Sequence, residues 1–109
     1  MIRTQRNAWI HALVSALVVL VSLWLGLSRQ DWAVIILAIA MVWTAEFLNT
    51  ALEAVVDLAS QHEVHELARV GKDVGAAAVL IAAISAAVIG LLILGPPLWD
   101  RLLTLVAVP

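Results

Sequence analysis

Glu46, Asn49, Glu53 and Asp57 recur at intervals of three or four residues in the stretch Glu46-Phe47-Leu48-Asn49-Thr50-Ala51-Leu52-Glu53-Ala54-Val55-Val56-Asp57. At about 100° per residue they fall within an arc of roughly 80°, spread over about 16 Å of helix axis. A stripe of carboxylates with one amide suits a hard divalent cation such as Mg2+, whose oxygen ligands are typically one or two carboxylates plus phosphate oxygens and waters. Lys72 supplies the opposite charge. An ammonium near a helix N-terminus is suited to phosphate, because it adds to the dipole and free N–H groups of that helix end. Carboxylates, a metal and a lysine are the parts needed for phosphoryl transfer, in which positioning and charge neutralisation do most of the work. Neither a Walker loop nor a kinase-type Gly-rich loop occurs in the sequence, so a nucleotide site here has to be of another kind.

Each of these residues also has a plainer reading. The stripe is what an oligomeric helix would show if it merely turned a polar face to water, and Asp57 alone would serve as a solvated or capping charge. His62 reads as a solvated loop residue, and His65 stands between that and a ligand. His11 reads as interfacial packing. Lys72-Asp73 would be an ordinary solvated helix start if no carboxylate stripe accompanied it, and the tryptophans read as membrane-interface anchors.

The elements that must carry the stripe are apolar. Of 109 residues, 64% are hydrophobic and 13% charged, with a mean hydropathy of +1.07. A soluble domain needs roughly a quarter of its residues charged, so the composition predicts an all-α membrane protein with a single domain over 1–109. The net charge of −2 and the lack of a basic stripe argue against a nucleic-acid partner. With no cysteine, disulfides and thiolate metal sites are excluded. Arg3 and Arg6 precede the first apolar run as in a signal peptide, but the run is too long for an h-region and two more follow, so we read it as a retained span. Spans are expected at about 8–27, 32–60 and 67–94, each sufficient for a ~30 Å hydrocarbon layer. Gly26 to Asp31 would form a turn. Gly95-Pro96-Pro97 would stop the third helix, leaving 98–109 as a short interfacial tail. With the N-terminus inside, Arg3, Arg6, Arg69 and Lys72 are cytoplasmic while Arg29 and Arg101 are outside. That orientation puts the acidic half of the second helix and Lys72-Asp73 at the cytoplasmic face. Small-residue faces such as Ala76-Ala77-Ala78, Ala82-Ala83 and Ala86-Ala87 are expected to pack against other copies of the chain.

The twelve residues from Glu46 to Asp57 resemble the signature E-x-L-N-[ST]-[SA]-[IL]-E-x-x-[VI]-D of the prokaryotic diacylglycerol kinase family, which includes undecaprenol kinases. A second block, H-x-L followed by K-D and a small-residue run, is similar to His65-Glu66-Leu67 and Lys72-Asp73-Val74-Gly75-Ala76-Ala77-Ala78. The resemblance covers about residues 4–94. It implies a homotrimer of three-span subunits in the bacterial inner membrane, with active sites shared between neighbouring subunits. Each site would transfer the γ-phosphate of Mg-ATP to the hydroxyl of a membrane lipid, diacylglycerol or undecaprenol. By the same resemblance Glu46 is the catalytic base and Asn49 orients it. Glu53 is a metal ligand beside the ATP phosphates, Lys72 binds phosphate, and Asp73, Glu63 and His65 contact nucleotide. Asp57 matches the end of the motif without a role.

Two departures are visible. Thr4-Gln5-Arg6-Asn7-Ala8-Trp9-Ile10-His11 is similar to the family's T-E-R-N-F-R-I-H, which puts Gln5 where a metal-binding glutamate is usual. A neutral amide oxygen can still ligate Mg2+, with less charge to hold it. The amphipathic surface helix that precedes this block in the family has no counterpart ahead of Thr4, so we expect either an upstream start or a reduced member. The N-terminal block leans toward the undecaprenol branch, and His65-Glu66-Leu67 toward the diacylglycerol branch. The competing expectation is a non-catalytic membrane oligomer, an ion or proton conduit or a structural partner, built on the same acidic stripe.

Overall fold

The computed structural model describes residues 2–61 and 65–107, with side chains from Asn7 onward. They form three helices, α1 (Ile2–Leu25), α2 (Arg29–Ser60) and α3 (Glu66–Val106), each long and apolar enough to cross a membrane. The chain is thus all-α over its described residues, as composition predicts, and its helices have the character of a multi-pass membrane protein.

Local chemistry explains the boundaries. Ser22 lies fully buried in α1, and its hydroxyl donates to the Val18 carbonyl at 2.7 Å, so this polar group is satisfied within its own helix. Gly26, at φ +67°, ends α1 in the left-handed conformation that glycine adopts without a Cβ clash. Its N–H returns to the Ser22 carbonyl at 3.1 Å. The turn is shorter than expected, because Ser28 already caps α2: its hydroxyl accepts the Asp31 N–H at 3.1 Å, and Asp31 sits in the first turn, where its charge complements the helix dipole. α2 closes at Gln61, whose left-handed backbone sends its N–H to the Asp57 and Leu58 carbonyls.

The third helix departs from the sequence expectation. Pro96 and Pro97 lie inside α3, which runs on through Leu98 to Val106. Two prolines remove two backbone donors. In an apolar environment the neighbouring N–H and C=O groups nevertheless have no partner except their own helix, so continuing the helix costs less than unwinding it.

The helices pack antiparallel in sequence order. Gly75 faces Asn49 and Gly71 faces Val56, which aligns α3 against α2, while His11 meets Glu46 and Ser15 meets Trp43, which aligns α1 against α2. α2 and α3 make the most extensive contact, and α1 touches both more sparsely. Between the three runs an apolar cleft of about 690 Å³, lined by Val18, Ile35, Ile39, Ala83, Gly90 and Leu94 among others. At the far end from the acidic stripe, the Arg101 guanidinium lies 5.0 Å from the centre of the Trp24 ring, a cation–π contact that ties α3 back to α1.

Candidate functional site

The stripe on α2 turns toward the other two helices. Glu46 is only 6% exposed, and a carboxylate buried that deeply needs a partner. α1 provides one: His11 Nε2 lies 3.4 Å from Glu46 Oε2. The His11 ring tilts against Trp43 with 6.1 Å between ring centres, and the Trp43 indole N–H donates to Ser15 Oγ at 3.1 Å. Phe47 packs on the same indole at 5.5 Å.

One turn along α2, Asn49 Nδ2 donates to Glu53 Oε1 at 3.4 Å. The Asn49 Oδ1 atom is buried and accepts no hydrogen bond among the described residues. Gly75 of α3 lies directly against it: a Cβ at that position would run into the Asn49 side chain and come within 3.0 Å of Leu52 Cδ2. A further turn on, Lys72 Nζ approaches Asp57 Oδ1 at 2.5 Å, both side chains being close to half-exposed. Glu46, Asn49 and Glu53 therefore lie along one face of α2, and Lys72 of α3 meets the end of that face through Asp57, from a buried carboxylate through a hydrogen-bonded pair to an accessible ion pair.

Other predicted site residues sit at the periphery. Asp73 is exposed on α3. His65 is exposed at the N-cap position of α3, where its side chain makes no capping bond. Glu66 and Arg69, just after it, pair with each other on the surface. Glu63 and His62 lie outside the described residues, as does the side chain of Gln5.

Among the described residues no three His, Asp or Glu side chains come together as a metal cage. The donor set still fits Mg2+, which needs only one or two protein carboxylates when phosphates and waters complete its shell. Glu53 offers such a carboxylate, whereas Asn49 Oδ1 is buried against Gly75 of α3.

Sequence reasoning read His11 as interfacial packing and did not place Ser15, Trp43 or Gly75 beside the stripe. A signal was present in α1: His11, Ser15 and Ser22 fall within an arc of roughly 40°, and polar residues in a membrane span face polar partners. That pattern shows which face of α1 is turned inward, without showing which residue it meets. Asp57, left without a role, is the partner of Lys72.

Comparison with known proteins identifies relatives of the chain. The profile of the prokaryotic diacylglycerol kinase family matches residues 1–94. The chain is 45% identical over 95 residues to a diacylglycerol kinase of Synechocystis, an alignment covering 87% of this chain and 54% of that protein. It is 40% identical over 96 residues to an undecaprenol kinase of Bacillus subtilis, covering 88% and 77% of the two chains. A diacylglycerol kinase of Escherichia coli K12 is 38% identical over 90 residues, covering 76% and 73%. The chain thus spans about half the length of the Synechocystis relative and about three-quarters of the other two. With a profile match running from the first residue to residue 94, through more than half of α3, and this level of identity across the same stretch, the chain belongs to the prokaryotic diacylglycerol kinase family.

Proposed function

We propose that the chain is an integral-membrane lipid kinase that uses Mg-ATP to phosphorylate the hydroxyl of a membrane lipid, diacylglycerol or undecaprenol. The observation that carries this is the gradation along α2: a buried carboxylate at Glu46, a hydrogen-bonded Asn49–Glu53 pair, and an accessible Lys72 beside Asp57. The names of the relatives, diacylglycerol kinase and undecaprenol kinase, support the same chemistry.

Glu46 is the base. It accepts the proton of the lipid hydroxyl as that oxygen bonds to the γ-phosphorus, the bond from the γ-phosphorus to the bridging oxygen breaks, and ADP leaves with the bridging oxygen. Asn49, expected from the resemblance to orient Glu46, holds Glu53 instead by its amide N–H. Lys72 neutralises phosphate charge, exchanging part of its contact with Asp57 for the nucleotide. Glu53, with Gln5, would hold Mg2+, which when bound screens the charge of the phosphate oxygens. Asp73, His65 and Glu63 are assigned to nucleotide contact.

The working unit is proposed to be a homotrimer with shared sites. Three helices leave most of their large apolar side chains exposed, Leu13, Leu17, Leu20, Leu91 and Leu92 among them, and the exposed Ala76, Ala77 and Ala78 allow close approach of another helix. Ala82, in contrast, is buried within the subunit. The basic residues favour the inner membrane with the site on the cytoplasmic side.

Radiolabelled ATP offered to the purified protein in mixed micelles tests the reading. Label is expected on diacylglycerol or undecaprenol. Label on neither lipid, in this chain and in a form extended upstream, would leave a non-catalytic oligomer instead. Presenting the two acceptors separately identifies the substrate.

A further inference from the structure

We infer that His11 is a positioning residue for Glu46: the imidazole on α1 holds one oxygen of the carboxylate and thereby presents the other to the lipid hydroxyl. This rests on Glu46 being the base. Three observations carry it. The Glu46 carboxylate is buried, and the ion-pair partner that the described residues give it is His11 Nε2, at 3.4 Å from Oε2. The contact engages one of the two carboxylate oxygens.

The ring is itself held. It lies against Trp43, whose indole N–H is fixed by Ser15 at 3.1 Å. Ser15 is one helical turn beyond His11 on α1, and Trp43 is three residues before Glu46 on α2. The four side chains thus close a circuit across the two helices, Ser15 to Trp43 to His11 to Glu46. A ring that only filled space would need neither the polar anchor nor the carboxylate contact.

Finally, His11 and Ser15 both line the apolar cleft between the helices, so the carboxylate is held where apolar and polar regions meet, as phosphorylating the head of a membrane lipid requires. The need for such a device is physical. A glutamate has three side-chain torsions to fix, a general base must stand within hydrogen-bond reach of the proton it takes, and misplacement by about 1 Å can cost on the order of 100-fold in rate.

The test compares wild type, His11→Ala, His11→Gln and Glu46→Gln in mixed micelles, with kcat and KM measured for ATP and for lipid. His11→Ala is expected to lower kcat roughly 10- to 100-fold, on the order of one close polar contact to a charged group, with KM for ATP changed less than about twofold. His11→Gln, whose amide N–H can reach the same oxygen, is expected to recover most of the loss. His11→Asn, polar but shorter, carries the same expectation as alanine and replaces it should the alanine variant fail to fold.

Wild-type kcat in His11→Ala or His11→Asn would overturn the inference. So would equal losses in the alanine and glutamine variants, or a loss confined to KM. Failure of the underlying reading looks different: wild type would then transfer no phosphate, or Glu46→Gln would remain fully active, and the role of His11 would fall with it.

Discussion

At Glu46 a helix otherwise suited to lipid buries a carboxylate, which unpaired would cost several kcal/mol. Burial with a partner instead keeps the group away from bulk water and in a fixed place, which is what a general base needs. Glu46→Gln keeps the shape and removes the proposed base. It is expected to abolish lipid phosphorylation while binding of a non-hydrolysable ATP analogue, followed by titration, changes less than about twofold; full phosphorylation by this variant would remove Glu46 from the mechanism. Lys72→Met removes a point charge from the accessible end of the stripe and is expected to raise KM for ATP by about tenfold or more, as expected for loss of a charge-assisted contact to phosphate; an unchanged KM would place the phosphates elsewhere. At position 5, restoring a carboxylate by Gln5→Glu is expected to lower the Mg2+ concentration for half-maximal activity. Identical metal titrations would show that the residue is no ligand.

Among the elements, the contact of α2 with α3 sets the geometry of the stripe, and glycines decide how close that contact is. Gly75 backs onto Asn49, and a methyl group there would meet the Asn49 side chain and Leu52. Gly71, one turn earlier, would place its methyl 3.7 Å from Val56 Cγ2, an ordinary contact. Both substitutions remove a glycine from a helix interior, which by propensity alone favours the helix by up to about 1 kcal/mol. Gly75→Ala is nevertheless expected to lower kcat about tenfold or more, because Asn49 must swing away and release Glu53. Gly71→Ala is expected to stay within about twofold of wild type. Equal kcat values for the two alanine variants would mean that the Gly75 approach does not govern Asn49.

The whole molecule leaves much of its apolar surface uncovered: Trp9, Leu58, Leu67 and Trp99 are each more than 60% exposed. Lipid can cover such a surface, and so can other copies of the chain, whose association in a bilayer depends on close packing of small residues rather than on the hydrophobic effect. If the base and the phosphate-binding lysine of one site come from different subunits, Glu46→Gln and Lys72→Met chains, each inactive or impaired alone, should restore activity when co-assembled. Mixed oligomers that show only the average of the two parents would argue for sites contained within one chain.

Local properties were readable from the residues in order. Three runs of apolar side chains long enough to cross a membrane, the 3.6-residue spacing of Glu46, Asn49, Glu53 and Asp57, and the fixed polar positions of the twelve-residue motif all depend on near neighbours, so the helical class, the stripe and the family were visible without coordinates. The stop expected at Gly95-Pro96-Pro97 was also a local argument, and it failed because the alternative to a helix in apolar surroundings is an unsatisfied backbone. Only the tertiary structure decided that His11 meets Glu46, that Ser15 anchors Trp43, that Asp57 pairs with Lys72 and that Gly75 lies against Asn49. Those partners are separated by 15 to 35 positions, and which residues meet across such intervals depends on how the helices register against one another, a property that no single helix carries.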